Sequence, residues 1–130
     1  MLYNQTTMDA IRQAKIKKLS ELRGNSKVIA YLTSDRAPLN TQIADDVVPI
    51  LQRHILNGEK KDKISLFLYT RGGQMIAPFK IVNLLRSYSK KFEILIPAFA
   101  HSAGTLLSLG ADIVVMSKLG ELSPVDPTMT

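Results

Sequence analysis

Two nearly uninterrupted apolar runs, Ile64–Leu68 and Ile94–Ile96, restrict what this chain can fold into more than any other feature. A run with little polar alternation is expected of a strand buried on both faces, and such strands belong mainly to parallel sheets covered by helices. Each run breaks at small residues and then resumes at helical spacing. After the first come Gly72-Gly73, then Met75, Ile76, Phe79, Val82, Leu84 and Leu85. After the second come Ala100, Ser102, Ala103 and Gly104, then Leu106, Leu107, Leu109 and Ala111. Lys27–Thr33 and Asp112–Met116 carry two further strand patterns, rich in Val and Ile. The order β-α-β-α-β-α-β predicts an α/β fold with a mostly parallel sheet.

Ser102 falls at the second strand-to-helix junction. A serine there has its hydroxyl held above the sheet edge, with the free N–H groups of the helix start behind it. The small residues Ala100, Ala103 and Gly104 would let a substrate backbone come close. Two readings follow. Ser102 is a nucleophile with half an oxyanion hole from the Ala103 N–H, or it is an ordinary helix N-cap. Taken alone, the stretch favours the cap, because His-Ser-Ala-Gly is not a specific motif. Gly72-Gly73 likewise supplies a second main-chain donor or merely a turn. In a parallel sheet the carboxyl ends of successive strands share one edge, so the two loops are expected to converge.

Three segments in this order, Leu68–Gly73, Ile96–Thr105 and Glu121–Pro127, resemble the Clp-type serine proteases and the wider crotonase-like fold. Within that group the chain is most similar to the serine dehydrogenase proteinase family. The resemblance covers residues 64–127, with a weaker likeness over Asn40–Leu56. It implies a Clp/crotonase-like fold and a serine peptidase acting on peptide or protein through a Ser102 acyl-enzyme. Main-chain donors would come from Gly72 or Gly73 and from Ala103. It also implies that the chain stops before further strands and helices of such a domain, some of them used in oligomer contacts. A leftover apolar face would then favour a homo-oligomer.

The proton acceptor is the difficulty, since a serine nucleophile needs a His or Lys partner. His101 adjoins Ser102, and neighbouring side chains at a turn diverge, so His101 is expected to line the site and not to serve as the base. In the Clp-type pattern a His follows the nucleophile by one strand and a loop; here Asp126 stands near that place. Signal-peptide-peptidase-like relatives use a lysine further along the chain, and Lys118 is the only lysine after Ser102. His101, Asp126 and Lys118 are therefore site-lining candidates, and the base is expected to be a Lys or His outside this chain. The alternatives are an inactive binding or assembly domain of the same fold, or an acyl-CoA-binding crotonase-type enzyme.

The 130 residues suit one domain, with an N-terminal helix over 1–23 and an incomplete core over 24–130. The net charge of +6 could suit nucleic acid, but aromatics are only 6% and Trp is absent, so no stacking platform is visible and no nucleic-acid partner is expected. Without cysteines there is no disulfide, cysteine-zinc site or thiol catalysis, and a cytoplasmic location fits. No apolar run approaches the ~18–20 residues that would span a bilayer, and no signal core opens the chain. No His/Asp/Glu cluster has ligand spacing, and no cofactor is expected.

Earlier in the chain, Thr6 or Thr7 is expected to cap a helix through about Arg23. Met8, Ile11, Leu19 and Leu22 form its narrow stripe, with Arg12, Lys15, Lys17 and Lys18 around it. Ser34–Pro38 is a turn. A second helix is expected from Asn40 or Thr41, kinked near Asp45-Asp46 by Pro49. The Asp pair is best accounted for as solvated carboxylates, and His54 as a packed or surface residue. Asn57–Lys63 is a charged connector, and Glu121–Pro127 an extended tail.

Overall fold

The computed structural model describes residues 5–55 and 60–126. Four strands form one parallel sheet in the order β1 (Lys27–Leu32), β4 (Lys61–Tyr69), β5 (Ser89–Ile96) and β7 (Ile113–Met116). Helices α2 (Val47–Ile55), α3 (Ala77–Ser87) and α4 (Ala103–Leu109) make the crossovers between them. Because the order advances one neighbour at a time, crossovers of one hand place all three helices on one face. The core bears this out. Ile29 and Tyr31, Ile64, Leu66 and Leu68, and Phe92, Ile94 and Ile96 point to that face and meet Leu51, Ile55, Ile81, Leu85 and Leu107. Two-residue strands complete the fold: β2 (Asp35–Arg36) pairs antiparallel with β3 (Leu39–Asn40), and β6 (Phe99–Ala100) pairs parallel with β8 (Glu121–Leu122).

The opposite face is crossed by α1 (Gln5–Leu22). Its apolar stripe is thin, with Ile11, Ile16 and Leu22 exposed, and a polar anchor fastens it instead. Glu93 is buried within β5. Arg23 clasps it with two bonds, Nε to Oε2 at 3.0 Å and Nη2 to Oε1 at 2.8 Å. The Ser65 hydroxyl donates to Oε2 at 2.6 Å, and the Lys63 ammonium lies 3.5 Å from Oε1. These donors, the Arg23 guanidinium first, outweigh burial and hold the Glu93 carboxyl down at about 2. A buried carboxylate with this many donors meets its desolvation cost, which a bare one could not.

The second helix begins later than the sequence predicts. Residues 40–46 cannot be helical, because the Ile43 N–H donates to the Gly72 carbonyl at 2.9 Å and the Ile43 carbonyl accepts from the Gln74 N–H at 2.8 Å. The helix starts at Val47, so Pro49 lies in its first turn, where no N–H is needed, and the expected kink is absent. Asp45 and Asp46 precede the helix, and His54 is exposed on it. Met75 and Ile76 precede α3, which opens with Pro78 in its first turn. Strand β4 takes in Lys61–Lys63, expected as part of the connector, and β5 begins at Ser89. Asn57–Glu59 and Pro127 lie outside the described residues.

Candidate functional site

Parallel pairing of β4 with β5 carries both following loops to the same edge. Thr70 extends β4 and bridges to Ala100, its N–H donating to the Phe99 carbonyl at 2.9 Å and its carbonyl accepting from the His101 N–H at 3.1 Å. Gly72 then lies against Ser102. A Cβ added at Gly72 would stand 2.9 Å from the Ser102 Cβ and 3.4 Å from its Oγ. A Cβ at Gly73 would stand 2.1 Å from the Ile43 carbonyl oxygen. Their φ angles are +122° and +156°, so this turn needs glycine both for space and for backbone conformation.

The two glycine amides differ. The Gly72 N–H donates to the Thr70 Oγ1 at 3.0 Å, and that oxygen also accepts from the Thr33 hydroxyl at 2.8 Å. The Gly73 N–H has no partner among the described residues. Across the gap, the Ala103 N–H is likewise without one, while the next amides, Gly104 and Thr105, bond to the carbonyls of His101 and Ser102.

Ser102 occupies the N-cap position of α4 without capping it. Its φ of +53° and ψ of −114° are sparsely populated for a residue with a side chain, a strain of about 1–3 kcal/mol. Its half-buried hydroxyl turns to the Met75 sulfur, a weak acceptor, at 3.7 Å. The ordinary cap role open to it in sequence is therefore not the one it has. Its own N–H donates to the Ser123 Oγ at 2.7 Å.

The candidate proton acceptors are not on the hydroxyl. The His101 ring turns to the Glu121 carboxylate, Nε2 to Oε1 at 2.7 Å, and leans on Phe99 with centroids 5.1 Å apart. The Arg71 guanidinium covers the other part of this cluster, 4.0 Å from the Phe99 centroid, and pairs with Asp35 at 3.0 Å. Lys118 is exposed in the loop after β7, and Asp126 is exposed beyond β8. Among the described residues no hydrogen bond joins Ser102 to His101 or Lys118. Thr70, Thr105 and Ser123 were given no role from sequence, since isolated hydroxyls carry no local signal, and Met75 was read only as an apolar helix position.

Beside Gly73 opens a cavity of about 560 Å³, lined by Gln42, Asp45, Gln74, Met75, Ile76 and Lys80. Asp45 and Lys80 are paired across it at 2.8 Å. No group of three or more His, Asp or Glu able to hold a metal ion occurs among the described residues. Among the described residues no helix is long and apolar enough to cross a membrane.

Comparison with known proteins agrees with this architecture. The chain resembles the ClpP1 mutant from Listeria monocytogenes in fold, with a TM-score of 0.52 and 16% identity, over 72% of this chain and 51% of that one. It is 29% identical over 127 residues to an uncharacterized protein of Methanocaldococcus jannaschii, covering 92% of this chain. A second uncharacterized protein of that organism is 38% identical over 64 residues, 49% of this chain. The chain spans 44% of the first relative's length and 22% of the second's. The profile of the ClpP-like SDH-type serine proteinases matches residues 2–130, and the chain belongs to that family.

Proposed function

We propose that this chain carries the nucleophilic half of a serine peptidase. The Ser102 Oγ adds to a substrate carbonyl carbon, and the resulting oxyanion is held by the N–H groups of Gly73 and Ala103. Collapse expels the amine and leaves an acyl-enzyme on Ser102, which water then hydrolyses. Of the two glycines, Gly73 is the better donor, because the Gly72 amide is engaged by Thr70. One observation carries the reading: a strained serine hydroxyl that caps no helix stands at the edge where two main-chain amides have no partner among the described residues. His101, Asp126 and Lys118 stay site-lining candidates within this proposal, with the His101 ring turned to Glu121. The proton acceptor, a Lys or His, comes from outside residues 1–130. The peptide or protein substrate, self-association and a cytoplasmic location belong to the same proposal, as does the treatment of residues 1–130 as one domain.

A serine-directed fluorophosphonate probe tests it. The protein at its full natural length should label once, and Ser102→Ala should abolish labelling. Labelling that survives the substitution, or none in the parent, would count against a peptidase. The second reading, a binding or assembly domain that has kept the fold, is favoured by the lack of a bond from Ser102 to His101 or Lys118. It predicts a Ser102→Ala protein with unchanged cellular role.

A further inference from the structure

We infer that Ser123 is a positioning residue that holds the Ser102 elbow in its strained conformation. The inference rests on the peptidase reading of Ser102 for its consequence in catalysis, but its geometry stands separately.

Consider what fixes Ser102. The peptide plane after it is pinned by its own carbonyl, which accepts from the N–H of Thr105 at 2.9 Å and of Leu106 at 3.1 Å. The plane before it is pinned at one end by the His101 carbonyl, accepting from the Gly104 N–H at 2.8 Å. The other end of that plane is the Ser102 N–H, and its partner is the Ser123 Oγ at 2.7 Å. Ser123 can accept because its own hydroxyl hydrogen is directed to the Pro124 carbonyl, 3.0 Å away. A left-handed φ at a residue with a Cβ persists only where its surroundings over-determine it. Without the Ser123 acceptor, the Ser102 φ of +53° can relax, and two things move together. The Oγ swings, and the Ala103 N–H turns away from the edge it shares with Gly73.

Ser123 is a suitable anchor because it is itself held by bonds that do not involve the Ser102 amide. Its N–H donates to the Thr105 Oγ1 at 3.0 Å, and that hydroxyl donates to the Ala100 carbonyl at 2.7 Å. Just before it, Leu122 pairs with Ala100 and the Glu121 N–H donates to the Ala98 carbonyl at 2.7 Å. The circuit Ala100, Thr105, Ser123, Ser102 thus ties the end of the second loop, the first turn of α4 and the segment after β8 into one frame. Ser123 also occupies the Ser102 amide, so that an incoming carbonyl oxygen meets only the Ala103 and Gly73 donors.

The test is the rate of phosphonylation of Ser102 by a fluorophosphonate probe, resolved into the maximal rate and the half-saturating probe concentration. Ser123→Ala should lower the maximal rate about 10- to 100-fold with little change in half-saturation. Ser123→Thr, which keeps the hydroxyl, should restore most of it. Ser123→Cys, with a weak sulfur acceptor, should fall between them and serves where Ser123→Ala folds poorly. In parallel, NMR amide exchange should quicken at Ser102 in Ser123→Ala while Gly104 and Thr105 keep parent rates. A parent-like rate in Ser123→Ala, or a Thr variant as slow as the Ala variant, overturns the inference. If the parent does not label at all, the peptidase reading fails. The exchange experiment then decides alone: unchanged Ser102 exchange in Ser123→Ala sinks the positioning role.

Discussion

Gly72 and Gly73 sit side by side and should fail differently when changed. At Gly73 an added methyl meets the backbone of Ile43, which cannot step aside, at 2.1 Å from its carbonyl oxygen and 2.5 Å from its nitrogen. Gly73→Ala should therefore cost stability first, about 3 kcal/mol or more by thermal or urea unfolding. At Gly72 the added methyl meets the Ser102 side chain and the His101 carbonyl at 2.9–3.2 Å. Gly72→Ala should leave most of the fold in place, as seen by circular dichroism, and suppress probe labelling of Ser102 by pushing its hydroxyl aside. In the core, Phe92 is fully buried against the helices, and Phe92→Ala should cost about 3–5 kcal/mol in urea unfolding.

At the scale of elements, α1 depends on one clasp. Its apolar residues are largely exposed, and Arg23, just past its end, reaches the buried Glu93. Arg23→Ala would leave that carboxylate with Ser65 and Lys63 only, and should destabilise by about 2–4 kcal/mol at neutral pH. The pH dependence follows from the sign of the shift. The Glu93 carboxyl is depressed from 4.5 to about 2, so its contribution is complete above about pH 4.5 and is lost as pH falls toward 2. The full shift is worth up to about 3 kcal/mol, less what solvent screening at the partly exposed Arg23 removes. The gap between parent and Arg23→Ala in urea unfolding should accordingly shrink between those two pH values. A gap constant across that range would remove the clasp from the stability of the protein.

For the whole molecule, the pertinent feature is apolar surface left in the open. Leu32 lies on the sheet face that α1 only partly covers, while Phe79 and Leu109 stand outside α3 and α4 at 61% and 71% exposure. A groove between those two helices is lined by Pro78, Phe79, Val82, Leu106 and Leu109. Exposed apolar area on this scale favours association. Sedimentation of the purified protein should show a species larger than the monomer, and Phe79→Glu with Leu109→Glu should shift it to monomer. An unshifted species would place the contact elsewhere.

The order of the four sheet strands and the helices between them, the parallel pairing and the meeting of the Gly72-Gly73 and Ser102 loops at one edge were legible in the sequence, whereas the two-residue strands β2, β3, β6 and β8 were not. Apolar runs, helical spacing and small-residue breaks are local patterns, and parallel pairing alone then brings successive carboxyl ends together. What only the tertiary structure decided are the hydrogen bonds between distant residues. The late start of α2 is set by Gly72 and Gln74 on Ile43, and the occupied Gly72 amide by Thr70 with Thr33 behind it. The same holds for the Ser123 bond to the Ser102 amide and the Arg23 clasp on Glu93, across 70 residues of chain. No pattern of period two or 3.6 encodes such pairs. They exist because a buried polar group must find a partner, and which partner it finds depends on where the folded backbone has already placed the donors.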